Sequence, residues 1–369
     1  MKGQLLKINQ ALIFFVLLTV VLFYGQPLLV PLFFAILLAM LMAPVCRRLD
    51  KRGLHRAVSC LICVFILLVV FLSMLGIMVG QVSSFVSEMS EVELRASELL
   101  LSAQGYIEKR FNISMAEQTA FIQKETQNLG ESLRGYLSGV LRSTIQLLVG
   151  LIITLVITFL LLFHKEKYNA FFLKITRGDT EEKRAAMLDR ISLVAQNYLV
   201  GRAISIIVLF VLYVLALIII GVDNALLLGA VAALFNIIPY LGPILAAVFP
   251  VLVALVSEPT VQPAIWVLIS FCLFQALDNY FVTPYFLGGE VSLSALSTIV
   301  GMIVGGFLWG VAGMILFIPM LSIAKIVFDH VPGLEPYGEL IGDEGERPTK
   351  NINAWLRRVF GRGVKEKKS

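Results

Sequence analysis

Three stretches of this chain are too long and too apolar for an ordinary soluble domain. No charged side chain occurs in the 39 residues between Lys7 and Arg47, or in the 34 residues of 224–257 and of 291–324. A helix needs about 20 apolar residues to cross a hydrocarbon core of about 30 Å. Each stretch therefore exceeds one crossing and approaches the length of a folded-back pair of helices.

The composition indicates a membrane protein built from helices. The chain is 58% hydrophobic and only 15% charged, whereas a soluble domain carries roughly a quarter charged residues. Backbone groups in lipid must be hydrogen-bonded within the protein, and the sequence lacks the alternating pattern of barrel strands. We therefore predict an all-α polytopic membrane protein with about eight helical spans, some of them in broken or re-entrant hairpins.

Basic residues predict the orientation of these spans. The loop 47–56 and the C-terminal tail are rich in Lys and Arg, so the positive-inside rule places both in the cytoplasm. This rule also accounts for the net charge of +5 without a nucleic-acid partner, and we expect none. The spans that satisfy it are 8–24, 27–45, 57–80, 143–163, 195–221, a hairpin over 225–257, a span over 262–281 and a hairpin over 293–328.

Four regions follow from this pattern. An N-terminal hairpin with the third span occupies 1–80, an extracytoplasmic helical arm 81–142, a transport core 143–330 and a basic cytoplasmic tail 331–369. Within the tail, 351–360 has apolar residues at helical spacing and predicts an amphipathic helix on the membrane surface. The arm either takes part in function or only packs subunits together.

No motif of an enzyme, a metal site or a cofactor site is present in the sequence. The zinc-protease, nucleophile-elbow and Walker lysine patterns are all missing. His55, His164 and His330 are scattered at predicted span ends, and Cys60-x-x-Cys63 lies inside a span without a second pair. We therefore predict no enzymatic activity, no cofactor and no metal, and we interpret the cysteines as packing residues.

The first informative break in an apolar run lies between residues 235 and 243. Pro239 and Pro243 each remove a backbone donor, so carbonyl groups near 235–239 are expected to lose their helical partners. Transporters use such discontinuous helices to bind ions and substrates. We predict a substrate or ion pathway at Asn236, Pro239, Tyr240, Gly242 and Pro243, with a plain hairpin turn as the alternative.

The second break places a carboxylate at the end of an apolar segment. Asp278 follows 19 uncharged residues and is followed by Asn279, Thr283 and Pro284. A charged group at that depth needs a partner, a proton or water. We add these four residues to the predicted pathway, with Arg202 as candidate counter-ion and interfacial solvation of Asp278 as the alternative.

The last apolar run is rich in glycine. Gly301, Gly305, Gly306, Gly310 and Gly313 include two small-xxx-small pairs, a spacing that lets helix backbones approach closely. We predict that these glycines serve helix packing.

These blocks together resemble the autoinducer-2 exporter family, which is also known as the PerM-type permeases. Many members of the family have a His-Pro pair after the position of Leu293, where this chain has Ser294-Ala295, so any role of that histidine is missing or moved here. The resemblance covers nearly the whole chain and is carried by Ile238-Pro239-Tyr240-Leu241-Gly242-Pro243, by Gln275, Asp278-Asn279 and Thr283-Pro284, and by Gly305-Gly306, Gly310, Gly313 and Pro319.

The resemblance implies a multi-pass secondary transporter of the bacterial inner membrane, with both termini in the cytoplasm. The expected activity is efflux of a small polar solute such as autoinducer-2, with ion coupling a further possibility. Sodium(lithium)/proton antiport is the alternative, and a non-transporting oligomeric membrane scaffold is an alternative of another class. The partners it implies are membrane lipid, the solute or a monovalent cation or proton, and further copies of the chain in a homo-oligomer, with a pentamer as the candidate form.

Overall fold

The computed structural model describes residues 2–76, 147–175, 181–238, 240–257, 260–286, 293–331 and 333–343. Within these ranges the chain is almost entirely helical, and the only β-type pairing is an isolated bridge between Leu293 and Gly342. The predicted arm 81–142, the predicted tail helix 351–360 and Pro239 lie outside the described residues.

The described ranges contain twelve α-helices. Helices α9 and α10 are joined by a π-helical turn over Asp278–Val282. The described helices are α1 (Lys2–Tyr24), α2 (Gln26–Lys51), α3 (Arg56–Gly76), α4 (Leu147–Phe163), α5 (Lys165–Ile175), α6 (Glu181–Ile220), α7 (Ala225–Phe235), α8 (Leu241–Ser257), α9 (Gln262–Leu277), α10 (Thr283–Phe286), α11 (Ala295–His330) and α12 (Glu335–Ile341).

Five helices in the described ranges are long and apolar enough to cross a membrane, or six if α4 and α5 are counted as one bent span. Three shorter apolar helical segments accompany them: Leu12–Tyr24 within α1, Ala225–Phe235, which is α7, and Leu241–Leu255 within α8. Many large apolar side chains are exposed on these helices, as expected of surfaces that face lipid. The prediction of an all-α polytopic membrane protein is confirmed.

Two breaks occur where the sequence placed them, at Gly25 and between residues 235 and 243, whereas no turn residue was predicted for the hairpin over 293–328. Helix α1 ends before Gly25, and the run 225–257 divides into α7 and α8. Helix α11 reverses at Trp309 and Gly310, and Gly310 has the positive φ of 60° that glycine tolerates best. A Cβ added at Gly305 would lie 2.6 Å from the carbonyl oxygen of Gly313, whereas eight residues of straight helix span about 12 Å. The run 293–328 is therefore a hairpin.

The chain divides into two compact units. The first contains Met1–Pro44, His164–Ser205 and Ala276–Ser369. Its core is formed by Leu37 of α2, Ala195 of α6 and Leu308, Trp309 and Leu316 of α11.

Two side-chain hydrogen bonds in the first unit satisfy carbonyl groups that the helices leave unpaired. Pro44 has no N–H for the carbonyl of Met40, and the Nε2 of Gln196 donates to that carbonyl at 2.9 Å. The indole Nε1 of Trp309 donates at 2.8 Å to the carbonyl of Leu22, near the end of α1. Both bonds fix helix pairs without a charged group.

The second unit contains Val45–Phe163 and Ile206–Gln275. Its core joins the second half of α6 with α7, α8 and α9, and a Cβ at Gly229 of α7 would lie 2.5 Å from the Val214 side chain. The thiols of Cys46 and Cys60 lie 3.6 Å apart in a buried contact. The fully buried core members are Leu209, Tyr213, Leu217, Val222, Leu227, Leu228, Ala232, Ala233, Ala246, Val253, Ala254, Ala264, Val267 and Phe271.

Candidate functional site

Asp278 is buried in the first unit and is held by two hydroxyl groups. Only 1% of its surface is exposed. The Ser205 hydroxyl donates to Oδ1 at 2.5 Å, and the Thr283 hydroxyl donates to Oδ2 at 3.2 Å. The shorter distance lies in the range of charge-assisted O–H···O⁻ bonds. We call Ser205, Asp278 and Thr283 the carboxylate cluster.

The backbone places this carboxylate on a π-helical turn. The N–H of Thr283 donates to the carbonyl of Asp278, five residues back instead of four. Pro284 supplies no N–H, and in an α-helix its ring would clash with the carbonyl of Tyr280. A local widening of the helix relieves that clash, and π-turns of this kind recur at functional sites.

Arg202, the predicted counter-ion, is not joined to Asp278 by a hydrogen bond or an ion pair among the described residues. Arg202 lies three residues before Ser205 on α6, so the two share one face of that helix. Its Nε is buried and has no hydrogen-bond partner in the described part of the chain. The counter-ion role stays a prediction.

Asn236 is buried in the second unit, at the end of α7, and is 1% exposed. Its Nδ2 donates to the carbonyl of Ala232 at 3.0 Å and to the hydroxyl of Tyr213 at 3.3 Å. Because a carbonyl can only accept, the nitrogen of this amide must face Ala232. The Oδ1 is then buried with no hydrogen-bond partner among the described residues.

Tyr213 connects Asn236 to Gln275. Its hydroxyl donates to the Oε1 of Gln275 at 3.4 Å, and its ring stacks on Phe271 with centroids 4.1 Å apart and planes 13° apart. The aromatic stack fixes the phenol, so the hydroxyl is positioned by packing as well as by hydrogen bonds. We call Tyr213, Asn236 and Gln275 the amide cluster, which carries no ionisable carboxylate or amine.

The turn between α7 and α8 corrects one prediction. The carbonyl of Phe235 keeps a partner, because the N–H of Ile238 donates to it at 3.0 Å, and the carbonyl of Ile238 accepts from Gly242 at 2.9 Å. A bond of the 3₁₀ type from Ile238 therefore replaces the bond to Phe235 that Pro239 cannot make, while the bond from Gly242 to Ile238 has the ordinary i→i−4 spacing of an α-helix. The unpaired acceptor is the side chain of Asn236 and not these two backbone carbonyls.

Tyr240 and Gly242 shape this turn. Tyr240 adopts a positive φ of 63° and is half exposed. A Cβ on Gly242 would collide with the backbone of Phe235 and Asn236, so only glycine allows the start of α8 to pass the end of α7 this closely. Pro243 is half-buried in the first turn of α8.

The remaining predicted residues fall into two groups. Asn279 is exposed on the π-turn, and Pro284 is the second residue of α10. Four of the predicted glycines lie where the two legs of α11 pack together, while the fifth, Gly310, is at the reversal. A Cβ added at Gly301 would contact Leu321, one at Gly305 would contact Gly313 and Phe317, one at Gly306 would contact Met314, and one at Gly313 would contact Gly305.

Three contributors were not predicted as site residues: Ser205, Tyr213 and Gln275. Each is a polar side chain inside an apolar helix, which is a weak sequence signal because serine and tyrosine are common in spans. Ser205 and Asp278 lie 73 positions apart in the sequence, so only the fold brings them together.

The two clusters differ in what they can bind. A carboxylate has about four acceptor positions, and two hydroxyl groups leave room for a proton or a monovalent cation at Asp278. The amide cluster offers a neutral buried acceptor to a hydroxyl or N–H group of a solute. No group of three or more His, Cys, Asp or Glu that could hold a metal ion occurs in the described ranges.

Comparison with known proteins identifies the family. Residues 12–333 match the model of the AI-2E family transporter. The chain belongs to the AI-2E transporter family. This match confirms the family that the motifs at 238–243, 275–284 and 305–319 resemble.

Individual relatives of this AI-2E family member match over varying lengths. The AI-2 transport protein TqsA of Escherichia coli is 30% identical over 162 residues, which are 44% of this chain and 46% of TqsA. YhhT of Escherichia coli, named provisionally as a transport protein, is 21% identical over 315 residues, 85% of this chain and 87% of YhhT. YueF and YrrI of Bacillus subtilis, named in the same way, are 34% and 26% identical, and the matches span 30% and 37% of their lengths.

Proposed function

We propose that this protein is a secondary transporter that exports a small polar solute such as autoinducer-2. The observation that carries the proposal is Asp278, a carboxylate buried and held by two hydroxyls in an otherwise apolar helix. Ionisable groups at such depth are rare and mark ion or substrate pathways. The family membership and the name of TqsA support this choice of activity and solute.

Asp278 would couple export to an ion gradient by binding a proton or a monovalent cation. The Ser205 and Thr283 hydroxyls would replace water around the ion-free carboxylate, and the bound ion would add its charge at the remaining acceptor positions. Sodium(lithium)/proton antiport is a second candidate function, favoured by the same observation because it needs a buried group that exchanges a proton for a cation.

We further propose that the protein lies in the bacterial inner membrane with both termini in the cytoplasm, as a homo-oligomer. The basic loop 47–56 supports this orientation. Cysteine accessibility to a membrane-impermeant maleimide at Arg52→Cys and Asp223→Cys, in the absence of the native cysteines, would test it. We expect labelling from the cytoplasmic face at position 52 and from the opposite face at position 223.

The central experiment compares two aspartates in proteoliposomes. Asp278→Asn removes the buried charge, while Asp223→Asn removes an exposed one in the loop before α7. The two readouts are collapse of an imposed pH gradient on adding sodium or lithium, and efflux of autoinducer-2. We expect wild type and Asp223→Asn to transport and Asp278→Asn to lose the ion-dependent part of both signals.

The outcomes separate the candidates. If the wild type collapses the pH gradient without exporting solute, and Asp278→Asn no longer collapses it, the protein is an antiporter. Efflux that is independent of any gradient and unchanged in Asp278→Asn would remove ion coupling but keep export. No flux of either kind in wild type would reject transport and favour an oligomeric scaffold.

A further inference from the structure

Helix α5 differs from the spanning helices. It is 11 residues long and carries Lys165, Glu166, Lys167 and Lys174. Its length of about 16 Å is about half the thickness of the hydrocarbon core, and charged groups are costly at the bilayer centre. Helix α5 therefore does not cross the membrane. It starts directly after the uncharged span α4, so it begins at the membrane surface.

One face of α5 is aromatic and open. Tyr168, Phe171 and Phe172 occur at i, i+3 and i+4, the spacing that places side chains on one face of a helix. Their exposed fractions are 39%, 53% and 51%, and the two phenylalanine rings lie 5.7 Å apart in an edge-to-face contact. Lys167 and Lys174 are exposed and lie two turns apart beside this face.

Helix α5 is bonded to α6 near its last turn, while its first turn is closed by its own backbone. At the first turn, the N–H groups of Lys167 and Tyr168 donate to the carbonyl of His164 at 3.0 and 3.2 Å. Near the last turn, the guanidinium of Arg184 on α6 donates to the carbonyl of Leu173, where a cation also complements the helix dipole.

We propose that α5 lies in the headgroup layer of the adjoining leaflet and binds anionic phospholipid. Tyr168, Phe171 and Phe172 insert between acyl chains, while Lys167 and Lys174 contact lipid phosphates beside them. Amphipathic helices with aromatic residues on one face and lysines next to it bind anionic membrane surfaces in this way. Long lysine side chains also reach the phosphates while their stems stay on apolar surface. This anchoring does not depend on which solute or ion is transported.

Spin-label accessibility in proteoliposomes tests the position of α5. The four native cysteines are replaced by alanine, and a nitroxide is placed by Phe172→Cys or, as matched control, by Ala170→Cys. Positions 170 and 172 are separated by about 200° around the helix axis, because each residue adds about 100°. The two labels therefore face opposite sides of α5. We expect the ratio of collisions with molecular oxygen to collisions with a water-soluble nickel chelate to be several-fold higher at position 172.

Anionic lipid is the second variable. The ratio at position 172 is measured in phosphatidylcholine vesicles with and without phosphatidylglycerol, for native lysines and for Lys167→Gln with Lys174→Gln. We expect phosphatidylglycerol to raise the ratio with native lysines and to have little effect with glutamines. Matching elution of every variant from a size-exclusion column shows that the fold is retained.

Three results would overturn the proposal. High nickel accessibility at both positions would place α5 in water. Low accessibility to both reagents at position 172 would mean that protein, such as a second copy of the chain, covers the aromatic face. Equal ratios of oxygen to nickel-chelate collisions with and without phosphatidylglycerol would show that the lysines do not contribute to lipid binding.

Discussion

The carboxylate cluster and the amide cluster both bury polar side chains in apolar helices, but they satisfy them differently. Asp278 has a hydroxyl donor on each oxygen, whereas Asn236 has both its bonds on nitrogen, and its Oδ1 has no partner in the part of the chain that the structure describes. An unpaired neutral acceptor costs about 1–3 kcal/mol, but an isolated buried charge costs far more. The vacant acceptor of Asn236 therefore costs little enough to be kept while the site is empty, whereas Asp278 needs its hydroxyl donors.

From this difference we expect the clusters to have separate tasks. A charged group with room for an ion is suited to coupling, and a neutral group with one free acceptor is suited to recognising a polar solute. Changes at each cluster are therefore expected to affect different readouts, and the following predictions run from the largest effect to the smallest.

The largest effect is expected when both hydroxyl donors of the carboxylate cluster are removed. Ser205→Ala with Thr283→Val leaves a buried carboxylate without side-chain donors, and each lost bond to a charged group contributes roughly 1.5–3 kcal/mol. The thermal unfolding midpoint in detergent should fall strongly. The same pair of changes in an Asp278→Asn background should cost clearly less, and equal costs would show that the charge of Asp278 does not matter.

Asn236→Leu tests the amide cluster. It removes the donors to Ala232 and Tyr213 and should lower stability by about 1–3 kcal/mol. Solute efflux in proteoliposomes should fall about tenfold, since a lost hydrogen bond to a buried partner is worth about 1.4 kcal/mol or more. Sodium-induced collapse of the pH gradient should persist, and loss of both signals together would contradict the separation of tasks.

The two hydroxyls should contribute unequally to ion binding. The bond from Ser205 is 2.5 Å long and that from Thr283 is 3.2 Å, and shorter charge-assisted bonds are stronger. Ser205→Ala should therefore raise the sodium concentration for half-maximal gradient collapse several-fold, and Thr283→Val should raise it less. A larger effect of Thr283→Val would reverse the assignment of the stronger donor.

Tyr213→Phe is expected to have the smallest effect. It deletes one neutral hydroxyl, worth about 1 kcal/mol of stability, but keeps the ring that stacks on Phe271. Efflux should fall a few-fold, as measured beside Tyr213→Leu, which also removes the stack and should cost more. Indistinguishable behaviour of the two variants would mean that the stack does not position the cluster.

Much of the fold follows from the sequence because its signals are local. Uncharged runs, glycine and proline determine where helices can span and where they break, so the turn at Gly25, the α7–α8 hairpin and the hairpin over 293–328 were accessible from the chain alone. The reversal at Gly310 was not, because this glycine was predicted to serve helix packing and lies instead at the turn. Asp278 was also accessible, because a carboxylate after 19 uncharged residues is conspicuous in the sequence.

The hydrogen-bond partners of such residues could not be predicted from the sequence in the same way. Ser205 meets Asp278 across 73 positions and Tyr213 meets Asn236 across 23, and no local pattern encodes such pairs. The sequence also predicted that carbonyl groups near 235–239 lose their helical partners, but two of them, those of Phe235 and Ile238, accept from the N–H groups of Ile238 and Gly242. Hydrogen-bond geometry of this kind depends on φ and ψ values that proline constrains only in part.

The sequence by itself thus determined a helical membrane protein, most of its breaks and the position of Asp278 at the end of an apolar segment, because lipid allows few backbone structures. The tertiary structure alone decided which hydroxyls hold Asp278, which acceptor of Asn236 is left free and which carbonyl groups Gln196 and Trp309 satisfy. Those contacts depend on the packing of distant helices, and packing is set by the whole core and not by any single segment.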